Sequence, residues 1–158
     1  MKRLLIPIFL LAILLCSCQR EYNILTYQEN EIVSECTINN KYDITITKCK
    51  DFLRLDIISP ASLAGVSFEI KEGNAYAIKD DISIPIDKNS LRGICAILNC
   101  FSLKENEIAT VNQDSTCIFN SDYGTYTVTY GENDLPKHIE ISTDTYNYSI
   151  AINSILLK

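Results

Sequence analysis

The stretch GTYTVTYGENDLPKHIEISTDTYNYSI, residues 124–150, decides the fold of this chain. Apolar and polar residues alternate in it three times: Tyr126 and Val128, then Ile139 and Ile141, then Tyr146 and Tyr148, each separated by a polar residue. Side chains of a strand point alternately to its two faces, so period 2 gives three strands with one face buried. A turn at Glu132–Leu135 pairs Val128 with Ile139 and Tyr126 with Ile141. A second turn near Thr143-Asp144 pairs Ile141 with Tyr146 and Ile139 with Tyr148. One face then carries the rows Tyr126–Ile141–Tyr146 and Val128–Ile139–Tyr148. Aromatic and β-branched cross-strand pairs stabilise such a face by roughly 0.2–1 kcal/mol each. A one-residue slip would turn every one of them into water, so the register is strongly specified.

The same alternation recurs upstream. Residues 30–38 form a candidate strand closed by Asn39-Asn40. Tyr42, Ile44 and Ile46 follow, then Leu53, Leu55 and Ile57 opposite Arg54 and Asp56, then Val66, Phe68 and Ile70 up to Gly73-Asn74. Tyr76 and Ile78, and then Ile82, Ile84 and Ile86, complete the first run; residues 106–112 and 115–120 belong to the second. Short strands every 8–12 residues, each with one wet face, make a meandering antiparallel sheet of about ten strands. The wealth of Ile, with Val, Thr, Tyr and Phe, agrees with a mainly β chain.

Between the two runs the period changes. Leu91, Ile94, Cys95, Leu98 and Phe101 fall on one helical stripe, which predicts one amphipathic helix at about 88–103. Asp87 or Asn89 is placed to cap it, and Gly93 weakens it. A lone amphipathic helix beside a sheet must bury its stripe on that sheet. The face carrying Val128, Ile139 and Tyr148 is the expected partner.

The N-terminus bears on location. Lys2 and Arg3 precede an apolar run from Leu4 to Leu15, interrupted by Pro7. Twelve residues fall short of the roughly 20 a membrane-spanning helix needs, so residues 1–17 read as an export signal. The run ends in Leu15-Cys16-Ser17-Cys18, which resembles the bacterial lipobox: an aliphatic residue, two small ones and an obligatory cysteine. Cys18 is then the lipidated residue, its thiol carrying a diacylglycerol whose acyl chains, such as palmitate, hold the protein at the membrane. Cys16 is the rival position, but Leu15 before it is a poor match. The other reading is an ordinary secretory signal with two incidental cysteines. Two acyl chains anchor a protein far more firmly than one. The chain divides into a signal at 1–17, a tether at 18–29 and a single β-rich domain at 30–158. Its place is the cell membrane or the outer membrane, outside the cytoplasm.

The 158 residues carry 14 basic and 20 acidic side chains, a formal charge of −6. Loss of Lys2 and Arg3 makes the domain −8 (−6 − 2). With no basic cluster, nucleic acid is excluded as a partner. A protein partner cannot be named from the sequence.

The order of lipobox, strands, one interposed helix and more strands is similar to that of the LolA/LolB-like half-barrel lipoproteins and lipoprotein carriers. The local point of likeness is Ser59-Pro60-Ala61-Ser62-Leu63-Ala64-Gly65-Val66, followed by Phe68. Pro60 ends a strand because it cannot donate to a ladder. Gly65 supplies a positive φ where the chain re-enters the sheet. The resemblance implies a strongly curved sheet, a half-barrel, with the helix on its concave face. It also implies acyl chains held there, against Leu91, Ile94, Leu98, Phe101, Tyr126, Val128, Ile139 and Tyr148.

Little else suggests chemistry. His138 is the only histidine and points away from the Val128–Ile139 face. The acidic pairs Asp80/Asp81, Glu105/Glu107 and Glu132/Asp134 fall at turns, where carboxylates are solvated rather than opposed across a cleft. No calcium, zinc or phosphate-loop motif is present, so no metal or cofactor is expected. Beyond Cys16 and Cys18, five of the seven cysteines remain. The Asn39-Asn40 turn brings Cys36 near Asp43, not Cys49. Cys95 and Cys100 stand about 7.5 Å apart along a helix axis, too far for a disulfide. All five are expected as buried apolar residues. The sequence thus supports a non-enzymatic lipoprotein that binds a lipid or other hydrophobic ligand. The alternative is a structural or protein-interaction lipoprotein of the cell envelope whose bore the helix plugs. An empty apolar cavity of about 300 Å³ or more would favour the first.

Overall fold

The structure, a computed structural model, describes residues 27, 29–112, 114–131 and 133–158. The export signal, Cys18 and most of the tether lie outside these residues, as does Glu132.

Eleven strands form one antiparallel sheet. The first six are β1 (Ile32–Ile38), β2 (Tyr42–Lys48), β3 (Phe52–Ser59), β4 (Ser67–Lys71), β5 (Asn74–Lys79) and β6 (Ile82–Ile86). After the helix α1 (Arg92–Asn99) and a 3-10 turn at Glu105–Glu107 come β7 (Ile108–Val111), β8 (Thr116–Ser121), β9 (Gly124–Tyr130), β10 (Pro136–Ser142) and β11 (Asn147–Leu157). The order across the sheet is β6-β5-β4-β3-β2-β1-β11-β10-β9-β8-β7. Every pairing but β1–β11 is a hairpin between sequence neighbours. β6 and β7 are the free edges, so the sheet is an open half-barrel, and residues 87–107 must cross from one edge to the other. The connectivity therefore puts the helix inside the curve. Bulges at Glu35/Cys36 against β11, Asp43/Ile44 against β3, Pro136/His138 against β9 and Ile108/Thr110 against β8 interrupt the ladders. Each bends its strand and adds twist, which supplies the curvature.

Turn chemistry sets the hairpins. Glu72-Gly73 and Asp80-Asp81 are two-residue loops with positive φ at both positions, as the twist of a tight hairpin requires. The second explains the Asp80/Asp81 pair, since Asp tolerates the left-handed region better than most residues. Because that loop makes Lys79–Ile82 a hydrogen-bonded pair, Ser83 and Pro85 turn their backbone groups toward the open edge. Pro85 has no N–H there, which blunts β6 as a template for another strand. As expected, Pro60 follows the end of β3 and Gly65 has φ +82°. Gly124 opens β9 at φ +145°, and a Cβ there would lie 2.3 Å from the Ser142 carbonyl oxygen.

The register of β9 and β10 is the expected one, with Val128 opposite Ile139 and Tyr126 opposite Ile141. The β10–β11 register differs by two residues: Ile141 faces Tyr148 and Ile139 faces Ile150. The loop is four residues long, not two. The Thr143 hydroxyl accepts from the Thr145 and Tyr146 amides and reaches the Tyr146 carbonyl at 2.9 Å, closing the wider turn. A two-residue shift keeps the same face inward, so nothing turns inside out. Tyr146 leaves the ladder and is exposed.

The helix is shorter than 88–103. Its N-cap is Leu91, without a side-chain cap. The Asp87 carboxylate instead accepts from the backbone and side chain of Asn89, within a turn that precedes the helix. At the other end Cys100 and Ser102 bond back three residues, to Ile97 and Asn99, in tighter turns. Phe101 and Leu103, both buried, therefore lie beyond the last helical residue, Asn99. Cys95, Ala96, Ile97 and Leu98 are all buried, which is more than one stripe. A curved sheet covers several sides of a helix where a flat one covers a single side.

Candidate functional site

The concave face is best followed along one cross-strand row: Ser34, Ile46, Leu55, Phe68, Ala77 and Ile84, on β1 to β6. All point to the same side. Ser34, Ile46 and Leu55 are at most 1% exposed, Phe68 and Ala77 are half-buried, and Ile84 is 57% exposed. Burial fades toward the free edge because the helix covers only part of the face. Ile82 is 64% exposed beside it, and Leu63 in the β3–β4 loop is also exposed.

At the covered part the helix is pinned. The buried Tyr126 hydroxyl donates to the Ala96 carbonyl at 3.0 Å, and burial raises its pKa above the ordinary value. Tyr148 lies against Gly93, where a Cβ would come within 2.2 Å of the phenol oxygen. Gly93 is thus a docking position as well as a weak point in the helix. Of the residues expected to face a ligand, Leu98, Phe101, Tyr126, Val128 and Ile139 are at most 1% exposed and share one core cluster. Leu91, Ile94 and Tyr148 are half-buried at its margin. Tyr27 is fully buried and stacks obliquely on Tyr130, with ring centroids 6.4 Å apart. Its role was not legible, since the polar stretch around it has only scattered apolar positions without periodicity. Leu103 was missed for the same reason.

At the uncovered part an open cleft of about 280 Å³ is lined by Val66, Ala77, Ile78, Ile82 and Ile84, with Lys79 and Asp80 at its rim. It lies at the free end of the sheet, away from the plugged bore. Ser67 is buried on the opposite face, donating to Asp56 at 2.5 Å and accepting from Arg54 at 3.1 Å.

His138 is on the outer face, with Nε2 3.3 Å from the Ser149 hydroxyl and 3.8 Å from Glu140. Hydroxyl and carboxylate thus approach the same ring nitrogen, whereas a catalytic triad places them on opposite nitrogens. No group of three or more metal-ligating side chains occurs among the described residues, and none of their helices is long and apolar enough to cross a membrane.

The five described cysteines are free thiols; Cys36, Cys95, Cys100 and Cys117 are buried and Cys49 is partly exposed. Burial pushes the Cys36 thiol up to about 11 against an ordinary 9.0, outweighing the lowering effect of its Ser34 hydrogen bond. Ser34 spends its one proton on the Ser154 carbonyl at 2.8 Å, so the thiol donates to Ser34. Burial also raises Cys95, Cys117 and, well above the ordinary value, Cys100. Thiolates are the reactive form. A thiol reagent at pH 8 is therefore expected to label Cys49 in the folded chain and the other four after unfolding. Between pH 9 and 11 the unfolded chain releases the Cys36 proton that the folded chain keeps. The unfolding free energy measured in urea should fall over that range, by up to about 1.4 kcal/mol per pH unit for such a thiol. Rapid labelling of a second cysteine in the folded chain would contradict the buried placement.

No protein-family model matches the chain, and no curated protein matches it. Solved structures do. An uncharacterized conserved protein from Thermus thermophilus overlays with a TM-score of 0.51 at 10% identity, over 89% of this chain and 88% of its own. A LolA superfamily protein from Nitrosomonas europaea overlays with a TM-score of 0.44 at 11% identity, over 82% and 84%. The first of these is a likeness of fold. The half-barrel with its helix on the concave side is the architecture that the sequence resemblance implies.

Proposed function

We propose that this chain is an exported, non-catalytic lipoprotein, acylated at Cys18, that binds a lipid or other hydrophobic molecule at the uncovered end of its concave sheet face. The observation that carries this reading is the row from Leu55 to Ile84. Its residues are apolar throughout, yet it passes from 1% to 57% exposed within one sheet. Apolar surface left in water on a domain that elsewhere buries it marks a place for a binding partner. The cleft of about 280 Å³ falls just short of the roughly 300 Å³ of a small ligand pocket. It has room for part of one acyl chain, and the remainder would lie along Ile82 and Leu63. Leu91, Ile94 and Tyr148 can extend the contact surface, while Leu98, Phe101, Tyr126, Val128 and Ile139 hold the helix in place. The protein sits at the cell membrane or outer membrane, on the side away from the cytoplasm.

A second reading has its own support. The bore is filled, with Leu98, Phe101, Tyr126, Val128 and Ile139 in its core, as in a scaffold that docks a protein rather than a ligand. Native mass spectrometry of the full chain in detergent separates the two. The ligand reading expects non-covalent lipid beyond the covalent anchor. Ile84→Glu should remove that lipid while shifting stability by no more than about 0.5 kcal/mol, since the side chain is exposed. A wild-type chain that carries only its covalent anchor, and takes up no added phospholipid, would establish the scaffold.

A further inference from the structure

The outer face of β9, β10 and β11 holds a second cleft, of about 460 Å³, with lining of a different kind. Two cross-strand rows form its floor. Thr125, Ser142 and Asn147 make one, and Thr127, Glu140 and Ser149 the other. Asn39 walls one side. Its amide donates to the Ser149 carbonyl at 2.7 Å and its side-chain oxygen accepts from the Ser149 amide at 2.8 Å, so this β1–β2 turn residue is fixed to β11. We propose that this cleft binds a neutral sugar.

The chemistry of the floor narrows the ligand class. Among the described residues no Lys or Arg lines the cleft, and its one charged group is the Glu140 carboxylate, which disfavours phosphates, nucleic acids and acidic glycans. All three strands are paired on both sides, so no backbone edge is open to an added peptide strand. A floor of hydroxyls, amides and a carboxylate likewise gives little to an apolar ligand. It does suit a molecule that presents several hydroxyls at once. The Ser142 hydroxyl is held on the Asn147 side-chain oxygen at 3.0 Å, which leaves the Asn147 amide N–H groups as donors. The Asn39 side-chain oxygen is occupied by Ser149, leaving its NH2 as a second donor. Glu140 can accept from two adjacent hydroxyls of one ring. Thr127 beside it can donate or accept. Neighbouring strands stand about 4.8 Å apart, close to the distance across a pyranose ring. Polar groups already held by their neighbours lose little freedom on binding, which favours recognition of a small polar ligand.

The test uses the 15N-labelled full chain in a zwitterionic detergent without a sugar headgroup. It is titrated with glucose, galactose, mannose, N-acetylglucosamine and the disaccharides maltose, cellobiose and lactose. The expected result is a saturable shift of the Thr127, Glu140 and Ser149 amides with at least one of them. Glucose 6-phosphate should bind no better than glucose. Thr127→Val and Glu140→Gln, both outward-facing, should each weaken binding about tenfold, the loss of one good hydrogen bond, with the amide spectrum otherwise unchanged. The proposal is overturned if no sugar gives saturable shifts on β9–β11, if the shifts fall on the concave cleft instead, or if both variants bind like the wild type.

Discussion

Leu98→Ala is expected to destabilise the folded chain by about 2–5 kcal/mol, the cost of truncating a fully buried leucine. Leu98 lies in the helix that fills the half-barrel and is 1% exposed. It belongs to one cluster with Phe101, Val128 and Ile139, residues from the segment after the helix and from two strands. Removing its isopropyl group leaves a cavity that the surrounding strands cannot close without giving up their ladders. The spread of the expectation reflects how far the helix, held by the Tyr126–Ala96 hydrogen bond, can settle. Urea unfolding of the full chain, with and without added phospholipid, gives the measurement. Lipid at the uncovered end would stabilise wild type and mutant alike, because a ligand that binds only the folded state adds the same increment to both. A loss below about 0.5 kcal/mol, the scale of ordinary surface substitutions, would show that Leu98 is not packed as described. A loss that lipid selectively repairs would place the ligand in the bore and make the helix a displaceable plug.

Cys18→Ala is expected to abolish incorporation of labelled fatty acid and to leave a precursor that keeps residues 1–17. The expectation rests on Leu15-Cys16-Ser17-Cys18 alone. Processing needs a thiol at the residue that becomes the new N-terminus and a small residue before the cut, and Ser17-Cys18 supplies both. Loss of labelling in Cys16→Ala with labelling intact in Cys18→Ala would move the anchor by two residues. Labelling in neither wild type nor mutants would mean an ordinary secretory signal.

Much of the fold was legible because period 2 is local. The alternation at Tyr126–Val128 and Ile139–Ile141 specifies which side chains share a face, and the Gly, Asn and Asp positions specify where the strands turn. The β9–β10 register follows from those two facts. The β10–β11 register does not, because Thr143 closes a four-residue loop with its own hydroxyl, and a shift by two residues leaves the alternation unchanged. The helix was legible as a stripe but not in its length, since the burial of Leu103 depends on the strands around it.

The sequence by itself determined that the chain is mainly β, that one helix interrupts two runs of strands, and which residues of β2, β3, β4, β6, β9 and β10 face inward. These follow from side-chain periodicity and backbone chemistry within a few residues. In β5 the expected Tyr76 and Ile78 lie on the outer face and Ala75 and Ala77 face inward. Only the tertiary structure decided that β1 pairs with β11, which makes the two runs one sheet and obliges the helix to cross it. It also decided that the inward row is fully buried on β1 to β3, half-buried on β4 and β5, and exposed on β6. Ile46 and Ile84 have the same character and the same pattern of neighbours in sequence, yet one is fully buried and the other 57% exposed. The physical reason is that exposure depends on what lies across the face, and that is set by the curvature of eleven strands together rather than by any one of them.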